Sequence, residues 1–182
     1  MLSLINQLLD MSQADAGKLQ LLEEALDIAP IVEDVCHILR DVAQSQQISL
    51  SITLDPDLPS VLADPMRVKQ IMLNLIGNSL KYSGEGGTVA VTASLSGSGE
   101  FVIAVSDNGA GMSVDELRQV RKAFTRTERA VASGTEGSGL GLAIVETMIT
   151  AHGGRLHLES QQGEGTTARI IFPSSRVVRI AA

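Results

Sequence analysis

Asn74, Asn78 and Lys81 stand four and then three residues apart in a stretch that is otherwise largely apolar, so on a helix they share one face, with Tyr82 alongside. Two carboxamide oxygens are hard ligands suited to Mg²⁺, and an ammonium one or two turns away suits a phosphate. Magnesium is usually held by few protein ligands and completed by nucleotide phosphates and water. Taken alone, the same three residues also fit ordinary solvated helix positions. Asp107-Asn108-Gly109-Ala110-Gly111-Met112 follows the apolar run Phe101 to Val105, which puts an acid at the end of a strand and two glycines in a tight turn. A carboxylate in an apolar slot can accept a hydrogen bond from an exocyclic amine such as that of adenine, and glycines let backbone approach a flat ring. A plain strand-to-helix turn explains Asp-Asn-Gly nearly as well.

Gly137-Ser138-Gly139-Leu140-Gly141-Leu142 enters an apolar helix, where free amides and the helix dipole favour anions, so a triphosphate could lie against Ser138 to Gly141. The segment is neither the Gly-x-Gly-x-x-Gly of a dinucleotide fold nor a lysine-bearing P-loop, since Ala143 follows Leu142. Arg121, Lys122, Arg126 and Arg129 cluster just before it, either as a solvated surface or as a lid that attracts a γ-phosphate.

These residues need elements to position them. Asp64-Pro65 is an N-cap followed by Pro at the first helical position, and apolar periodicity then runs to Tyr82. Asp27 and Pro30 start an earlier helix, running to about Gln46, whose apolar face includes Ile31, Val35, Ile38, Leu39 and Val42. Residues 48–54 alternate with period two and predict a strand. Runs at 88–95 and 101–106, joined by Ser96-Gly97-Ser98-Gly99, predict an antiparallel hairpin, and 155–160 with 166–172 predict another around Gln162 to Gly165. Ser113 and Glu116 make a capping box for a helix over 113–123. A further helix spans Gly139 to His152, and Thr125 to Ser138 reads as a mobile loop. Met1, Leu4, Leu8 and Met11 are spaced as the seam of a helix that packs on other helices, ending at Gly17. Strands grouped antiparallel with helices between them give an α+β class, a two-layer sandwich whose mostly antiparallel sheet is covered by helices on one face.

Composition narrows the function. A net charge of −7, three Phe, one Tyr and no Trp disfavour general nucleic-acid binding. The lone Cys36 excludes an internal disulfide and a cysteine-cluster metal site, and no apolar run is long enough for a membrane span. The expected location is the cytoplasm.

In order, Asn74-x-x-x-Asn78-x-x-Lys81-Tyr82, Asp107-Asn108-Gly109-x-Gly111-Met112, Phe124, Gly137-Ser138-Gly139-Leu140-Gly141-Leu142 and Gly163-x-Gly165-Thr166 closely resemble the N, G1, F, G2 and final glycine boxes of bacterial sensor histidine kinases. The resemblance covers about 27–173. It implies the Bergerat-type ATP-binding fold shared with gyrase, Hsp90 and MutL, and transfer of the ATP γ-phosphoryl group to a histidine for relay to a response-regulator receiver domain. By resemblance, Asn78 is the principal Mg²⁺ ligand, Asn74 supports it, Lys81 contacts phosphate, Tyr82 packs at the nucleotide and Asp107 recognises adenine. Gly109, Gly111, Gly137, Gly139 and Gly141 shape the pocket, with Met112, Phe124, Arg126, Ser138, Leu140, Leu142 and Thr166 also lining it.

Residues 1–22 resemble the end of a dimerisation-domain helix and its linker, 23–175 the catalytic domain and 176–182 a tail, with a homodimer expected of the full-length protein. Two departures stand out: Arg121 occupies the place of the usual first phenylalanine of the F box, and none of His37, His152 and His157 lies in a phosphoacceptor motif. His37 reads as a partly buried helical residue, and the acceptor is expected upstream or on another chain. The departures leave a nucleotide-binding or docking scaffold without transferase activity as the rival reading. A gyrase-type hydrolase is disfavoured, because Asn74 stands where those ATPases carry a carboxylate to activate water.

Overall fold

A computed structural model describes residues 19–120 and 139–178. In chain order these form β1 (Glu24–Leu26), α1 (Ile28–Ser45), β2 (Ser49–Leu54), β3 (Ser60–Ala63), α2 (Pro65–Ser83), β4 (Thr88–Leu95), β5 (Phe101–Asp107), α3 (Val114–Gln119), α4 (Gly141–Ala151), β6 (Arg155–Gln161), β7 (Gly165–Phe172), a 3-10 turn (Ser174–Arg176) and β8 (Val177–Val178). The expected helix over 1–12 and the loop from Thr125 to Ser138 fall outside the described residues.

The main sheet has the order β2-β4-β5-β7-β6. Its neighbours run antiparallel except β2 and β4, which are parallel because the whole of α2 lies in the connection between them. Alternation decides which face is covered. Val89, Val91 and Ala93 of β4, Phe101, Ile103 and Val105 of β5, and Ala168, Ile170 and Phe172 of β7 point into the core. The helices α1, α2 and α4 cover that face, while small residues such as Ala90, Ala104 and Thr167 occupy the other. This is the expected two-layer α+β sandwich.

A second, three-stranded sheet, β1-β3-β8, was not expected. Its strands span three, four and two residues, too short for a period-two pattern to stand out from the turn-rich sequence around them. Two details of α1 also differ from expectation. Ile38 and Val42 are 50% and 43% exposed, and the face turned inward is Ile28, Val32, Val35, Cys36 and Ala43. His37 lies on the outward side and is exposed rather than partly buried. Burial of Cys36 raises its thiol pKa to about 11, which makes it an inert core residue.

Asp64, Ser79 and His152 are the buried polar residues among those described. Asp64 caps α2 through Oδ1, which accepts from Met66 N at 2.9 Å and Arg67 N at 3.1 Å. Its Oδ2 accepts from Leu22 N at 2.9 Å. His152 closes α4, with Nδ1 2.7 Å from the Met148 carbonyl, to which only a protonated nitrogen can donate. Its Nε2 accepts from Asp64 N at 3.0 Å, which makes the ring a neutral tautomer. Its ring meets that of Phe172 in a T-shaped contact, with centroids 5.8 Å apart. Both helices that carry motif residues are thus tied together at the end away from the motifs.

Candidate functional site

α2 buries Val68, Ile71, Met72, Leu75, Ile76 and Leu80 against the sheet and α4, which leaves Asn74, Asn78 and Lys81 on the half-buried flank. Across from that flank begins α4. A Cβ at Gly141 would stand 3.4 Å from Asn78 Nδ2 and 3.6 Å from Asn74 Oδ1, so the bare glycine keeps open a space between the helix start and the two carboxamides. The N-cap residue of this helix, Leu140, has no side chain able to cap it, and the helix dipole favours negative charge at that end. Asn74 Nδ2 is buried and has no hydrogen-bond partner among the described residues. An unsatisfied buried donor costs about 1–3 kcal/mol, so a group that brings an acceptor to it would be favoured.

Gly139 has φ +70°, the left-handed region open to glycine, and turns the chain into Leu140, which is buried, and then Leu142, packed on the core. Lys81 Nζ lies 4.9 Å from the ring centroid of the exposed Tyr82, at the far end of the same flank.

Asp107 ends β5. Its Oδ1 accepts from Gly109 N at 3.0 Å and Thr166 N at 3.2 Å, and its Oδ2 accepts from Ser79 Oγ at 2.9 Å. Burial pushes its pKa above the ordinary carboxylate value, against the opposing pull of these three hydrogen bonds. The turn after it is pressed between α2 and the last hairpin. A Cβ at Gly109 would fall 2.2 Å from the Tyr82 carbonyl oxygen, which instead accepts from Ala110 N at 3.2 Å. At Gly111, φ is +60° and a Cβ would fall 1.9 Å from the Gln161 carbonyl oxygen, so no other residue fits without moving backbone. Met112 N donates to Ser160 Oγ at 2.8 Å, and that hydroxyl also meets Thr166 Oγ1 at 2.8 Å. Asn108 is used for the fold: its Oδ1 accepts from Thr88 N at 2.7 Å, pinning the turn to β4.

The structure therefore brings together Asn74, Asn78 and Gly141 at one place, and Asp107, Gly109 and Thr166 at another, with α2 running between them. Phe124, Arg126, Gly137 and Ser138 lie outside the described residues. Sequence reasoning missed Ser79 and Ser160. Ser79 had a signal: it falls four residues after Leu75 and three after Ile76, on the buried stripe of α2, where a hydroxyl requires a partner. Among the described residues no helix is long and apolar enough to cross a membrane, and no cluster of His, Cys, Asp or Glu could hold a metal ion.

Residues 63–176 match the family described as histidine kinase-, DNA gyrase B- and HSP90-like ATPase. The chain is 36% identical over 176 residues to the non-motile and phage-resistance protein of Caulobacter vibrioides, covering 95% of this chain and 21% of that protein. It is 32% identical over 185 residues to the cell-division control histidine kinase PdhS of Brucella abortus, covering 97% of this chain and 18% of that protein. Among solved structures, full-length ShkA in complex with AMPPNP superposes with a TM-score of 0.85 at 31% identity, over 100% of this chain and 36% of that one. The chain thus spans about a fifth of the length of these curated relatives.

Proposed function

The chain belongs to the histidine kinase-, DNA gyrase B- and HSP90-like ATPase family and is a histidine-kinase ATP-binding catalytic domain, and from that premise we propose how its residues hold Mg²⁺·ATP for transfer of the γ-phosphoryl group to a histidine outside residues 1–182. One observation carries the reading. Asn78 and Ser79, consecutive on α2, meet Gly141 of α4 and Asp107 of β5 respectively, so three motifs far apart in sequence converge along one helix.

Asp107 accepts the adenine amine, in a turn whose glycines admit a flat ring. Thr166 holds the carboxylate from the opposite strand, and Tyr82 and Met112 border the nucleotide. The start of α4, from Gly139 to Leu142 with Gly137 and Ser138 before it, receives the phosphates, and Lys81 supplies a positive charge to them.

The donor set fits magnesium: the carboxamide oxygens of Asn78, and in support Asn74, are hard ligands of the kind that complete a phosphate-bound Mg²⁺. That ion would neutralise charge on the phosphates. The unpartnered Nδ2 of Asn74 is a donor for a phosphate oxygen or a water. Neither asparagine can take a proton from water near neutral pH, which favours transfer to a presented nucleophile over hydrolysis. Phosphoryl transfer asks for alignment and charge stabilisation, and amides, an ammonium and carboxamides provide both. The receiver domain of a response regulator is the downstream partner, the intact protein is a homodimer, and the site works in the cytoplasm.

Radiolabelled ATP tests this. The chain alone is expected to bind ATP without labelling itself, because no histidine of residues 1–182 lies in an acceptor motif. A separate helical dimerisation domain carrying its acceptor histidine is expected to be labelled weakly in trans, and Asn78→Ala is expected to remove that label. Acid-labile phosphate on the chain alone would place the acceptor within it, and ATP binding with no transfer in trans would favour a scaffold.

A further inference from the structure

We propose that Ser79 is a positioning residue for base selection: its hydroxyl fixes the plane of the Asp107 carboxylate and so aims the remaining acceptor site of Oδ2 at an exocyclic amine. The inference rests on the reading of Asp107 as the partner of adenine.

A carboxylate offers about four acceptor sites, two on each oxygen. On Oδ1 both are occupied, by Gly109 N at 3.0 Å and Thr166 N at 3.2 Å. Two donors on one oxygen locate that oxygen but leave the group free to swing about it. The third bond, from Ser79 Oγ to Oδ2 at 2.9 Å, removes that freedom and leaves one site open, on the oxygen that Ser79 holds. An incoming amine must therefore use Oδ2.

The serine is suited to this. It is 6% exposed, so its bond to Asp107 does not compete with bulk water. Mid-helix serines commonly turn back to the carbonyl four residues earlier, but this hydroxyl is given across to the sheet. Ser79 also follows Asn78 directly. Any shift of α2 that moves the carboxamide at the phosphate end moves the hydroxyl at the base end with it.

The test compares ATP with purine riboside 5′-triphosphate, which lacks only the 6-amine, by calorimetry on the whole chain. The unaltered chain is expected to prefer ATP by about 10- to 150-fold, the range of a hydrogen bond to a charged group. Ser79→Ala is expected to cut that preference about three- to tenfold while leaving the affinity for the purine nucleotide nearly unchanged. Ser79→Cys, which keeps the shape with a weaker donor, should fall between the two. A merely structural serine would weaken both nucleotides alike, so an unchanged ratio in both variants overturns the proposal. Asp107→Asn separates the two inferences. If it abolishes the preference while the Ser79 variants keep it, the adenine reading stands and the role of Ser79 falls; if it too keeps the preference, the adenine reading falls and takes the role of Ser79 with it.

Discussion

The backbone N–H of Asp64 and Nε2 of His152 share a hydrogen bond of 3.0 Å between residues 88 positions apart, joining the first turn of the helix that carries the asparagines to the last turn of the helix that carries the glycine box. The bond exists only while Nε2 has a free lone pair. Burial lowers the pKa of His152 below its ordinary value of 6.5, whereas in the unfolded chain the imidazole titrates normally.

Stability should therefore fall in mild acid. Above about pH 6.5 both states hold His152 neutral, and as the pH drops below that value the unfolded chain takes up a proton that the folded chain refuses, until the depressed folded pKa is passed. In that window the loss approaches about 1.4 kcal/mol per pH unit for this one group. Urea unfolding between pH 8 and 5 reads it. His152→Gln should be less stable at neutral pH with a shallower acid slope, and an equal slope in both proteins would assign the effect elsewhere.

Asn74 trades stability for binding. Replacing it with Leu, of similar size, removes a buried amide that has no partner among the described residues, so the nucleotide-free protein is expected to gain about 1 kcal/mol. ATP affinity should drop in the same variant. A nucleotide-free protein destabilised by Asn74→Leu would mean that the amide is satisfied in solution.

Gly141→Ala separates fold from function in another way. The added Cβ meets its neighbours at 3.4 Å or more, ordinary contact, so the fold is expected to hold, with a gain of at most ~1 kcal/mol from helix propensity. The methyl group stands in the space beside Asn74 and Asn78, and ATP binding should weaken several-fold. Retained affinity in a folded Gly141→Ala protein would remove this space from the site.

Gly111→Ala should behave in the opposite manner. A left-handed φ costs a non-glycine residue about 1–3 kcal/mol, and here the Cβ also runs into the Gln161 carbonyl oxygen. The turn must move, so unfolding midpoint and ATP affinity should fall together. A variant with an unchanged midpoint would show that the turn is free to relax.

Much of this was legible beforehand where long periodic elements were concerned. The stripe of α2, the alternation of β4 and β5 and the capping box at Ser113 are repeated local signals, and each fell where expected. The three-stranded sheet was not, because β1, β3 and β8 owe their pairing to partners across the chain rather than to a pattern of their own. At the site, the residue types pointed to nucleotide chemistry, but the contact between Gly141 and the asparagines depends on how two helices cross. Ser79 was hidden for a related reason: a hydroxyl between apolar neighbours declares that a partner exists without saying which. Ile38 and Val42 face outward because the stripe of α1 that packs inward runs through Ile28, Val32, Val35, Cys36 and Ala43, a choice of face that periodicity alone does not make.

The strand order has a consequence for synthesis on the ribosome. β5 emerges with β4 along one edge, but its other edge waits for β7, and Thr166, which donates to Asp107, arrives 59 residues later. Until then a strand bearing Phe101, Ile103 and Val105 presents unpaired backbone, the kind of edge that recruits strands from other chains. The carboxylate proposed to read the base lacks one of its three donors, Thr166 N, over the same interval, so nucleotide is expected to stabilise only a nascent chain whose last hairpin is already in place.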